Sequence, residues 1–134
     1  MKRILALLFC LVSLSALSQT SYYTATRTEL YEKRYDGSWH QYDGNEDVDI
    51  PVSFTKNVIQ IMAKSATTFN IDNNSAQTYN QKTFTCVSYQ AVEVVNNRRC
   101  RVDFVQYYGA DYILLSITYE YITPVRNLRY YLVK

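Results

Sequence analysis

From Val48 to Phe54 every second side chain is apolar: Val48, Ile50, Val52 and Phe54. A period of two puts all four on one face of an extended strand, whereas a helix would scatter them around its axis. The turn residues Thr55-Lys56-Asn57 follow, then Ile59, Ile61 and Ala63, then Thr67, Phe69 and Ile71, each again at alternate positions. Pro51 sits on the opposite face and has no ladder donor, so this strand is expected at an edge or bulged near its start.

The second half repeats the theme. Extended runs at Phe84–Tyr89, Cys100–Tyr107, Tyr112–Tyr121 and Leu128–Val133 are separated by turn signals at Asn96-Asn97, Gly109-Ala110 and Thr123-Pro124. Strand after strand without a helical period predicts an all-β antiparallel meander of seven or eight strands, a closed or nearly closed barrel, over residues 19–134 as one domain. Residues 22–35 fit a strand through Thr24, Thr26 and Thr28. They also fit a short helix through Leu30, Tyr31 and Arg34, which would make the fold α+β, a helix on a curved sheet. Asp36-Gly37 reads as a turn, and the polar stretches His40–Asp47 and Asp72–Gln81 read as loops.

At the N-terminus, Lys2 and Arg3 precede the apolar run Ile4–Val12, and Ala16-Leu17-Ser18 supplies small residues for cleavage. Residues 1–18 therefore read as a secretory signal peptide, too short to serve as a membrane-spanning helix. The expected destination is secreted or periplasmic. Cys10 follows bulky Phe9, which argues against acylation there. The 14 Lys+Arg include Lys2 and Arg3, so those that remain balance the 12 Asp+Glu and the mature chain is formally neutral. Without a basic excess, the electrostatic drive for nucleic-acid binding is missing. The cluster Arg98, Arg99, Arg101 reads as a solvated hairpin end.

Cys86 and Cys100 form an even pair in an oxidising compartment, which points to a disulfide closing a loop of about 15 residues, worth about 3 kcal/mol. Alternation argues the other way. A two-residue turn at Asn96-Asn97 puts Val87 and Tyr89, not Cys86, on the face of Cys100, so a bulge between Gln90 and Val95 is needed to bring the sulfurs together.

No catalytic, cofactor or metal constellation emerges. His40 is the single histidine and the glycines number three, too few for a phosphate loop or a Gly-x-Ser-x-Gly elbow. Asp43, Asn45, Asp47 and Asp49 alternate like the opening of a calcium loop, but Val48 and Phe54 stand where that loop needs glycine and glutamate. Asp103 and Asp111 read as surface residues. Asn73-Asn74-Ser75 matches a glycosylation acceptor too short to carry weight. The compositional excess is tyrosine, 14 in all, with adjacent pairs at 22–23, 107–108 and 130–131. Neighbours in a strand point to opposite faces, so some of these rings lie outside the core. There they pair across strands or form a contact surface.

Gly37-Ser38-Trp39 resembles the Gly-x-Trp of the lipocalin and wider calycin group, Asp111-Tyr112 resembles part of its Thr-Asp-Tyr, and Arg126 or Arg129 lies near the last strand as its arginine does. The resemblance implies an up-and-down barrel around a small apolar ligand, with Trp39 closing one end, an arginine packed on it, and Trp39, Tyr112 and Arg126 as binding residues. Ala110 replaces the threonine. The layout is also similar to that of small exported bacterial proteins of seven or eight strands. The functional expectation is an exported, non-enzymatic binding domain without cofactor, its partner an unknown small molecule or protein. The alternative is a cell-surface interaction or structural protein that uses tyrosine-rich sheet surfaces.

Overall fold

A computed structural model describes residues 20–134. The signal expected at 1–18 lies outside the described residues. Nine strands follow in order: β1 (Ser21–Lys33), β2 (Trp39–Asn45), β3 (Ile50–Phe54), β4 (Val58–Met62), β5 (Ala66–Asn80), β6 (Phe84–Glu93), β7 (Arg98–Tyr107), β8 (Ile113–Tyr119) and β9 (Arg126–Val133). Neighbours pair antiparallel, and β9 returns to β1, which closes an eight-strand barrel of β1 and β3–β9. The fold is all-β, as the alternation predicts.

Residues 22–35 are strand through Lys33, so the helical alternative falls. Its reason lies in pairing: Thr24–Glu32 face β9, while Ser21–Ala25 face β3 and Thr28–Lys33 face β2. A strand has two edges, so β2 and β3 share the one opposite β9. A register shift between Ala25 and Arg27 turns the side chains over there. The apolar positions past Thr26 thereby fall out of simple alternation.

Both expected polar loops are corrected. His40–Asp47 holds all but the first residue of the exposed β2, and Asp72–Gln81 contains the outer half of β5. Neither shows an apolar period because neither buries a face. Each borders water along one edge and each is irregular: Tyr42 is skipped in the β1–β2 register, and the β5–β6 register shifts between Asp72 and Gln77. Pro51 lies opposite Thr24 of β1, one residue beyond the β4 ladder that begins at Val52, so its missing donor interrupts no β4 pairing.

Inward-facing side chains fill the barrel. Ile59, Ile61, Phe69, Val102, Leu115, Ile117 and Leu132 are buried, and Tyr23, Phe54, Phe104 and Tyr89 form a chain of rings with centroids 5.2, 4.9 and 6.0 Å apart. Fully burying one such side chain stabilises by about 1.5–3 kcal/mol. Polar groups lie at the two ends of this core. At one, Gln106 Nε2 lies 3.1–3.2 Å from the carbonyls of Tyr107, Ala110 and Tyr112. At the other, buried Glu93 accepts from Tyr119 and Asn96.

The turns carry the expected residues. Gly37 and Gly109 adopt φ of 86° and 84°, where a Cβ is disfavoured, and Asn97 adopts 51°.

Candidate functional site

The same alternation that fills the interior sends another set of side chains outward. Register carries one row across the sheet from Cys86 through Val105 and Leu114 to Tyr131, and a second from Ser88 through Asp103 and Ser116 to Arg129. Small residues in the middle of these rows are flanked by long ones, and the result is a groove of about 530 Å³ on the outside of the barrel. Cys86, Ser88, Val105, Leu114 and Ser116 make its floor. Tyr79, Phe84 and Tyr107 form an aromatic wall, and Arg101 and Arg129 reach in from the far side. Phe84 and Tyr107 meet edge to face with centroids 5.8 Å apart.

The groove's charges are ordered by neighbours. Arg101 is held by Asp103 at 3.2 Å and Glu120 at 2.6 Å. Arg129 donates through Nε to Asn127 Oδ1 at 2.8 Å and lies over the Tyr31 ring, 4.3 Å from its centroid. Asn127 in turn donates to Ser116 Oγ at 2.7 Å and Thr118 Oγ1 at 2.9 Å. Next to Arg129 on β1, buried Glu29 accepts from Tyr131 at 2.5 Å and Arg27 at 2.8 Å. Burial pushes the Glu29 carboxyl upward, but these two donors outweigh it and hold it below the ordinary range.

The expected disulfide does not form: Cys86 and Cys100 are free and buried. Glu93 pairs with Arg98 across a longer turn than the sequence suggests, and no bulge separates them from Cys86, which faces Val105, and Cys100, which faces Ala91. Parity is therefore strict. Cys100 points into the core and Cys86 onto the groove floor, on opposite faces and about 17 Å apart along the strands. Burial, reinforced by Asp103 for Cys86 and Glu93 for Cys100, pushes both thiols up to about 12, so neither is a nucleophile at neutral pH.

Trp39 starts β2, partly exposed, and the cation over its ring is Lys33 at 5.9 Å. Arg126 starts β9 near the same end of β1 and pairs with Glu32 at 3.1 Å. Tyr112 precedes β8 at the opposite end, its ring 5.1 Å from that of Tyr131. Trp39 and Arg126 thus share an end of the barrel, and Tyr112 does not join them. Beside that shared end, a second depression of about 740 Å³ lies between the Lys33–Asp36 turn and Thr123–Val125. There Arg34 Nη2 approaches His40 Nδ1 at 2.8 Å. Its lining is largely exposed loop.

Sequence reasoning missed the groove because its residues come from separate strands and meet only through register. The tyrosine pairs were the available signal. Tyr22 is 71% exposed and Tyr23 7%, as opposite-facing neighbours must be. No protein-family model, curated protein or solved structure matches the chain.

Proposed function

We propose that the chain is an exported, non-enzymatic recognition domain that takes its ligand in the groove on the outside of the barrel. The observation that carries this reading is the contrast between the two faces of one sheet: the inside is filled by packed rings and aliphatic chains, while the outside holds an open, aromatic-walled groove. An eight-strand barrel has room for its own side chains or for one small ligand. In a lipocalin-like layout the ligand would occupy the interior, and here the side-chain filling favours the outer face. Export rests on the signal pattern at 1–18.

The outward rows also oppose a barrel embedded in lipid, since Asp103, Ser116 and Arg129 stand where a membrane barrel presents an apolar band. Among the described residues no helix is long and apolar enough to cross a membrane.

Amide chemical-shift mapping with neutral aromatic fragments tests the site. Shifts concentrated on Phe84–Ser88, Val105–Tyr107 and Leu114–Ser116 are expected. Shifts confined to Val102, Leu115 and Leu132 would place the ligand inside and overturn the reading.

A further inference from the structure

Resting on that reading, we infer that the groove selects a small aromatic carboxylate, with Arg129 receiving the carboxylate and the Phe84–Tyr107 wall receiving the ring.

The inference starts from charge. Arg101 is already engaged by two carboxylates, Asp103 and Glu120, which leaves it no call for an anion from solution. Arg129 lines the same groove and makes no ion pair among the described residues; its Nε is bound to Asn127 and its plane lies on Tyr31. These contacts fix the guanidinium but occupy neither terminal amino group. Glu29, opposite Arg129 in register, is already taken by Arg27 and Tyr131. A guanidinium so oriented is preorganised for the two-pronged contact that a carboxylate offers.

A second observation is independent of charge. Ser88 is only 8% exposed, lines the groove and has no hydrogen-bond partner for its hydroxyl among the described residues. The hydroxyl faces the open groove rather than a sealed interior, so a ligand oxygen could take it up in place of solvent. Ser116, next to Arg129 across the β8–β9 ladder, accepts from Asn127 and keeps its own proton to donate.

The spacing sets ligand size. From Ser116, the floor runs over Leu114 and Val105 to Tyr107, one inter-strand step and two pairs of residues along the strands. With the reach of the Arg129 side chain this leaves about 7–10 Å between anion and ring, the length of an arylalkanoate.

The test compares 5-phenylpentanoate with its neutral amide by chemical-shift titration of the labelled protein, wild type and Arg129→Gln. The acid is expected to bind about tenfold tighter than the amide. In Arg129→Gln the preference for acid over amide should disappear, the acid losing about tenfold more affinity than the amide. Because the variant also loses contacts to Tyr31 and Asn127, the salt dependence of wild-type binding is a second readout: acid binding should weaken with salt and amide binding should not. Equal binding of acid and amide in the groove would overturn the carboxylate inference while leaving the outer-groove reading intact. If neither probe moves groove amides, both fall.

Discussion

The Tyr119 hydroxyl donates to Glu93 Oε2 at 2.6 Å inside one end of the barrel, and Asn96 donates to the other carboxylate oxygen at 2.5 Å. This contact ties the exposed β6–β7 turn to β8 through the buried Glu93 carboxylate. Tyr119→Phe leaves one oxygen of a buried carboxylate without its donor, so a loss of about 1–3 kcal/mol is expected. Urea unfolding measures it, and a change below about 0.5 kcal/mol would show that the pair is dispensable. The cost in the Tyr119→Phe, Glu93→Leu double variant should be less than the sum of the singles, because the residues are in direct contact.

Glu29 governs the acid limb of stability. Its carboxyl is held below the ordinary glutamate value of 4.5 in the folded state. Its contribution is therefore present above that value and is lost as pH falls through the lower, folded one. Glu29→Gln should cost about 1–2 kcal/mol at neutral pH and flatten the decline in acid. Thermal unfolding of the two proteins across the acid range decides it. Parallel curves would count against this role.

Tyr131 contributes to the alkaline limb, alongside Tyr89, Tyr119 and Tyr130, whose phenols burial also raises. Burial, with the bond to Glu29, raises its phenol from 10.0 to about 12. A group raised on folding contributes stability that is complete below 10.0 and disappears as pH climbs towards 12. The tyrosinate absorbance of the folded protein should show a late-ionising component shared with buried Tyr89, Tyr119 and Tyr130, and Tyr131→Phe should reduce its amplitude by one phenol.

Both thiols should resist alkylation in the native protein and react fully after unfolding, since burial keeps the thiolate scarce. Peptide mapping after labelling reads each site separately. Rapid native labelling of Cys86, or a Cys86–Cys100 peptide that appears only without reductant, would contradict the arrangement.

Leu115→Ala should cost about 2–5 kcal/mol, because Leu115 is 0% exposed and ringed by strands that cannot collapse onto a void. The measurement is the urea midpoint at unchanged slope.

What could be read in advance follows from where burial writes a pattern. Val52 and Phe54 on β3, and Ile59 and Ile61 on β4, alternate cleanly because one face meets the core and the other does not. Trp39–Asn45 and the outer half of β5 show no such pattern, because a strand at a wet border that buries neither face puts no apolar demand on alternate side chains. For Cys86 and Cys100 the parity argument was sound, and the compartment argument for a bridge pointed the wrong way. The groove was out of reach for a different reason: Ser88, Asp103, Ser116 and Arg129 align only when four strands are placed in register, and no spacing along one strand encodes that.

The skipped residue Tyr42 has an effect beyond local geometry. On either side of it β2 offers no more than three regular positions, Trp39–Gln41 and Asp43–Asn45. A second molecule adding its backbone there would find donors and acceptors falling out of step almost at once, and the outer half of β5 sets the same obstacle with its own irregularity. The two borders left open by the barrel are thus poor templates for fibre growth.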